Sequence, residues 1–220
     1  MIVLALGGCG QDNKPAADTS PDAAAKEAVQ TAVEKQPEVA PAPPPLSTQD
    51  QFWNALGTLC GSAYAGYLTV GTEPGDREFG EADMTMHVRD CSDDEIRIPF
   101  HVGDNRSRTW VLRRDGDGLT LKHQHLDENG DIQEPHNYGG RTSETGSARR
   151  QAFVVDAQTR SKLPATQYNV WAIEIVPGQL FAYELQRPEE DRFFRVEFDL
   201  DAAIAAPPPA WGYRADSSTD

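Results

Sequence analysis

RTWVLRRDGDGLTLKHQHL, residues 108–126, decides the fold. Two runs, 108–114 and 119–126, alternate apolar and polar side chains, the period of a strand with one buried face. Between them Asp115-Gly116-Asp117-Gly118 supplies residues that tolerate the left-handed backbone of a tight hairpin. Working outward, the same pattern recurs in both directions. MTMHVR (84–89) and EIRIPFHV (95–102) precede the hairpin, and RRQAFVV (149–155), NVWAIEIV (169–176), QLFAYELQ (179–186) and RFFRVEFDL (192–200) follow it. Asn129-Gly130 and Pro177-Gly178 mark two further reversals.

Two short helices are expected beside these strands. Thr48 and Gln51 form a T-x-x-Q capping box ahead of Phe52, Leu56 and Leu59, predicting a helix over 48–59. DAQTRSKL (156–163) is a second. Eight or nine short strands in up-and-down order point to an all-β fold, an antiparallel barrel or strongly curled meander. A short helix leading into such a meander resembles the calycin group of lipocalins and fatty-acid-binding proteins in architecture. The lipocalin G-x-W motif is missing, since Trp53 lies on the expected helix. A β-sandwich is the alternative.

Partners are bounded by charge. The 220-residue chain carries a net charge of −15, which repels phosphate backbones and argues against nucleic acid. Its 20 basic residues are mostly Arg, a residue suited to bidentate pairing with carboxylates on exposed strand faces.

The chain opens MIVLALGGC, and Leu6-Gly7-Gly8-Cys9 resembles the bacterial lipobox. That resemblance implies acylation of Cys9, with residues 1–8 a truncated lipoprotein signal segment. Gly10 after the Cys, in place of the Asp associated with inner-membrane retention, implies the outer membrane. No later segment reaches the roughly 20 apolar residues of a spanning helix, so the lipid is the expected anchor. Residues 9–46 are rich in Ala, Pro, Glu and Lys and poor in core formers, the composition of a disordered tether. One β domain over 47–204 and a disordered tail over 205–220 complete the expected organisation. In an oxidising envelope, Cys60 and Cys91 are an even pair and predict a disulfide.

The candidate chemistry lies in LKHQH, residues 121–125. His123 and His125 share a strand face with Leu119 and Leu121, the expected inward face. Two imidazoles two residues apart can reach one metal, so zinc is the alternative to no cofactor. A third ligand is needed. Parity sets His87 and His101 on the opposite face, while His136 sits in a loop that can fold over a barrel mouth. The other reading is a pair of half-buried, hydrogen-bonded histidines. Glu174, Glu184 and Arg195 are charged residues inside strands. They either line a ligand cavity or pair across an outward polar face.

MHVRDCSDDEIRIPFHVGDNRSRTWVLRR, with LKHQH and NVWAIEIVPGQLFAYEL, resembles a family of uncharacterised secreted or lipid-anchored proteins of Gram-negative bacteria. The resemblance covers roughly residues 50–200 and implies an envelope location, with no activity attached. The expected function is a non-enzymatic outer-membrane lipoprotein whose β domain binds a small apolar or amphipathic ligand or an envelope partner. The alternatives are a metal-assisted hydrolase using His123 and His125, and a purely structural envelope protein.

Overall fold

The computed structural model describes residues 44–214. The signal segment, Cys9 and nearly all of the tether lie outside the described residues. Helix α1 (Thr48–Gly57) opens the domain. Its cap is one residue earlier than the sequence pattern indicates: the Ser47 hydroxyl accepts from the Asp50 N–H at 3.0 Å. Thr48 is instead spent on tertiary contact, donating to the Thr145 carbonyl at 2.6 Å.

Eleven strands follow among the described residues. They are β1 (Ala63–Gly71), β2 (Met84–His87), β3 (Asp90–Cys91), β4 (Glu95–Val102), β5 (Asn105–Asp115) and β6 (Gly118–His125), then β7 (Tyr138–Thr142), β8 (Arg150–Val155), β9 (Val170–Val176), β10 (Leu180–Arg187) and β11 (Arg192–Ile204). Helix α2 (Arg77–Glu81) lies between β1 and β2, and α3 (Ala157–Lys162) between β8 and β9. Asp156 caps α3, accepting from the Thr159 N–H at 2.8 Å.

Every pairing among these strands is antiparallel, and from β4 to β11 each strand pairs with its successor in sequence. β1 then joins β11 and β2 joins both β1 and β4, which closes a ten-stranded barrel with β3 as an outlying pair on β4. The all-β barrel expected from the sequence is therefore present, and the sandwich alternative is not.

Two barrel strands carry no strong sequence signal. β7 contains Gly139 and Gly140, which weaken strand propensity. They sit where the neighbouring chains come closest: a Cβ at Gly139 meets the Leu121 carbonyl, and one at Gly140 meets the Val154 carbonyl. In β1, Gly66 lies against the Phe198 ring, and two bulges interrupt the register with β11.

The interior is filled. Ile98, Trp110, Leu112, Leu121, Phe153, Trp171, Ile173, Phe181, Val196 and Phe198 are all buried. Phe52 and Leu56 of α1 are fully buried in the same core. α1 thereby seals one end, fixed by Thr48 and by Gln49, which donates to the Thr142 hydroxyl at 3.1 Å. The expected disordered tail is corrected for residues 205–214, which are ordered along the outer wall. The Trp211 N–H donates to the Arg106 carbonyl at 3.1 Å, and the Arg106 guanidinium returns a bond to the Pro209 carbonyl at 3.0 Å. The aromatic side chains and a proline run with no N–H to satisfy explain why this segment docks.

Closure rests on the four residues of β2, and beside that seam Cys60 is bonded to Cys91, 31 residues apart. A loop of that length is worth roughly 3–4 kcal/mol in the chain-entropy account. The Cys60→Ser, Cys91→Ser double variant is expected to lose about that much in urea unfolding. An unchanged midpoint contradicts a stapling role.

Candidate functional site

The open end of the barrel, opposite α1, carries the site. β5 and β6 pair Trp110 with His123 and Arg108 with His125, so strand alternation turns all four toward the interior side. Phe100, Trp110 and Tyr183 stack in series, with ring centroids 4.6 Å and 4.5 Å apart. Tyr138, at the start of β7, stacks on His123 at 4.7 Å. Around these rings lies a cavity of about 150 Å³, lined also by Arg108, His125, Leu185 and Arg192.

A short flap covers part of this mouth. Phe79 of α2 meets Phe194 edge-on at 4.9 Å. Asp76, just before α2, takes both Nη atoms of Arg192, each at 2.6 Å. Both partners are buried, which favours a bidentate guanidinium–carboxylate pair over any single-point contact. Glu78 accepts from Arg108 at 3.2 Å.

His123 is fully committed to the fold. Its Nδ1–H donates to the Tyr138 carbonyl at 3.2 Å, which leaves Nε2 to accept the Tyr183 hydroxyl at 2.7 Å. Burial pushes this imidazole down to about 3. A metal at His123 has to displace the Tyr183 hydroxyl first. His125 differs. It lines the cavity, and its hydrogen bonds run through the backbone, the carbonyl accepting from His136 Nδ1 at 2.8 Å. Burial, with Arg108 and His136 nearby, pushes its imidazole down to about 4. Burial raises the Tyr138 phenol to about 12 and holds the Tyr183 phenol well above its ordinary value.

The structure thus brings His123 and His125 to one cavity and sends other candidates elsewhere. His136 folds back to the His125 backbone. His101 is buried under the ordered C-terminal segment, on the outer side with Arg106, where burial lowers it to about 4. His87 lies beside it. Among the described residues, no three His, Cys, Asp or Glu side chains converge as a metal site.

Glu174, Glu184 and Arg195 do not reach the cavity. They alternate with the inward Ile173, Tyr183 and Val196, and so face the outer wall. There Arg195 bonds Glu174 at 3.0 Å, Glu197 at 2.6 Å and Glu184, while Arg150 bonds Glu184 at 2.6 Å. Burial alone raises the Glu184 carboxyl, but Arg150 and Arg195 hold it below its ordinary value. This is the cross-strand ion-pair reading of those charges.

Sequence reasoning did not single out Arg108, which shares parity with Trp110 and Leu112. That signal was present. Tyr138, Phe79 and Asp76 had none, because they sit on a Gly-weakened strand and a flap without periodicity. The chain matches no protein-family model, no curated protein and no solved structure.

His123 generates a pH dependence with a definite sign. An unfolded histidine titrates near 6.5, above the folded value of about 3, so the unfolded chain binds the extra proton between those limits. Stability is full above pH 6.5 and falls as pH drops through the window, by roughly 2 kcal/mol from this residue between pH 6.5 and 5. Urea unfolding at stepped pH checks this. His123→Phe is expected to flatten the slope, whatever its stability at neutral pH, and an unaltered slope contradicts the assignment.

Proposed function

We propose that this protein is a non-enzymatic, lipid-anchored lipoprotein of the bacterial outer membrane, held through Cys9, whose barrel binds a small amphipathic ligand at its open end. The observation that carries the binding reading is the cavity at Trp110, His123, His125 and Tyr138, at the end of a barrel whose interior is otherwise filled. A volume near 150 Å³ accommodates a single ring or a ligand of similar size. It does not accommodate a long acyl chain, because Phe181, Phe198, Leu112 and Ile173 occupy the space such a chain needs. Ligand recognition in apolar sites of this kind comes from a few placed polar groups, and Arg108, His125 and Tyr138 are available for it.

The hydrolase alternative is the weaker one, since the two nitrogens of His123 already have partners. A purely structural barrel is the second reading, favoured by the extent of the filled interior. The two part at the cavity. In titration calorimetry, benzyl alcohol is expected to bind wild type and to fail with Leu185→Trp, which fills the mouth, while palmitate binds neither. Heat from palmitate, or none from any small ring compound, contradicts the binding reading. For the anchor, Cys9→Ser is expected to move the protein out of the membrane fraction; retention there removes that part of the proposal.

A further inference from the structure

The polar groups at the mouth are of one electrostatic kind. Asp76 is the acid among the cavity-lining residues, and both its oxygens are held by Arg192. The groups left over can all donate. Arg108 lines the cavity, and its buried Nη1 has no hydrogen-bond partner among the described residues. Among the described residues the hydrogen bonds of His125 and of Tyr138 engage their backbone atoms, so the imidazole and the phenol remain for a ligand. A buried guanidinium N–H without an acceptor is costly, and an acceptor brought in by a ligand relieves that cost. The other partner of Arg108, Glu78, is a side chain 59% exposed on the flap. It is therefore only a partial counter-charge for Arg108, screened by water.

We propose that the ligand is a small aromatic carboxylate, its ring packed among Trp110, Tyr138 and Leu185 and its carboxylate accepting from Arg108, with His125 and Tyr138 as neutral donors. This rests on the mouth being a binding site. A carboxylate is an acceptor-only group and forms charge-assisted bonds with guanidinium, which matches what the mouth leaves unsatisfied. The lining matches a ring: Tyr138 and Leu185 stand beside the edge of Trp110, whose two faces are taken by Phe100 and Tyr183, and the cavity is about 150 Å³. The net charge of −15 works against any anion at long range, but salt screens that field beyond about 8 Å, while the Arg108 contact is local.

The test compares benzoate, benzamide and benzylamine by titration calorimetry on the whole chain. Benzoate is expected to bind roughly tenfold or more tighter than benzamide, with benzylamine weakest. Arg108→Gln is expected to weaken benzoate roughly tenfold or more and benzamide, whose neutral carbonyl is the poorer acceptor, by much less. Glu78→Gln, at an exposed position, is expected to tighten benzoate a few-fold and to leave benzamide alone. This second variant keeps the test decisive if Arg108→Gln does not fold. Equal affinity for benzoate and benzamide, or no response of benzoate to Glu78→Gln, overturns the carboxylate assignment while leaving a binding cavity. Absence of binding by all three probes overturns the cavity reading as well.

Discussion

Four residues, Met84–His87, hold the barrel shut. They pair on one side with Ala63–Gly66 of β1 and on the other with Phe100–Val102 of β4, and without them the sheet has two free edges. Met84 and Met86 point inward and are fully buried, so the closing strand is fixed by packing as well as by its backbone bonds. The Cys60–Cys91 bond ties the approach to β1 to the chain just after β2, which limits how far this short seam can open. Closure also sets the parity of every other strand. Once β2 joins β4 in register, Phe100 faces in and His101 faces out, and the choice propagates through β5 to Trp110 and through β6 to His123.

That propagation explains which parts of the structure were legible in the sequence. In strands β4 to β6 and β8 to β11 large apolar residues recur at every second position, because one face meets the aromatic interior, while the other carries mostly polar, charged or small residues. The inward placement of His123 and His125 follows from Leu119 and Leu121 by the same rule. β1 and β7 were not legible. Their glycines are demanded by backbone and ring contacts from strands distant in sequence, and no local pattern records that demand. The ordered segment 205–214 misleads for a related reason. Its prolines and small residues have the composition of a tail, yet the Trp211 N–H donates to the Arg106 carbonyl and the Arg106 guanidinium to the Pro209 carbonyl, which docks it. The outward placement of Glu174, Glu184 and Arg195 was open in the sequence. Parity alone did not say which face of β9 to β11 held the cavity, and the Tyr183 side chain, stacked on Trp110 and bonded to His123 while Glu184 points the other way, decides it.

The interior chemistry divides along the barrel axis. Toward α1, aliphatic and aromatic side chains fill the space and leave nothing for a ligand. Toward the open end the packing turns polar in steps: His123 with both nitrogens satisfied, then His125 and Tyr138 with ring groups unused, then Arg108 and the Arg192–Asp76 pair beneath the flap. His123 is thus the last residue of the core rather than the first of a metal site. Larger hollows, of about 470 and 790 Å³, flank the C-terminal segment on the outer wall, but their linings are dominated by charged and loop residues. Trp211 lies in both, which makes it an internal control for any claim about the mouth.

The four tryptophans report on separate regions, and their indole N–H resonances make the decisive measurement. Trp53 marks the sealed end, Trp171 the core behind His123, Trp110 the cavity and Trp211 the outer wall. In ¹H–¹⁵N spectra titrated with a neutral ring compound such as benzyl alcohol, we expect a saturable shift of Trp110, with Trp53 and Trp211 unmoved. A shift confined to Trp211, or no shift at any indole, contradicts the claim that the open end of the barrel is the binding site.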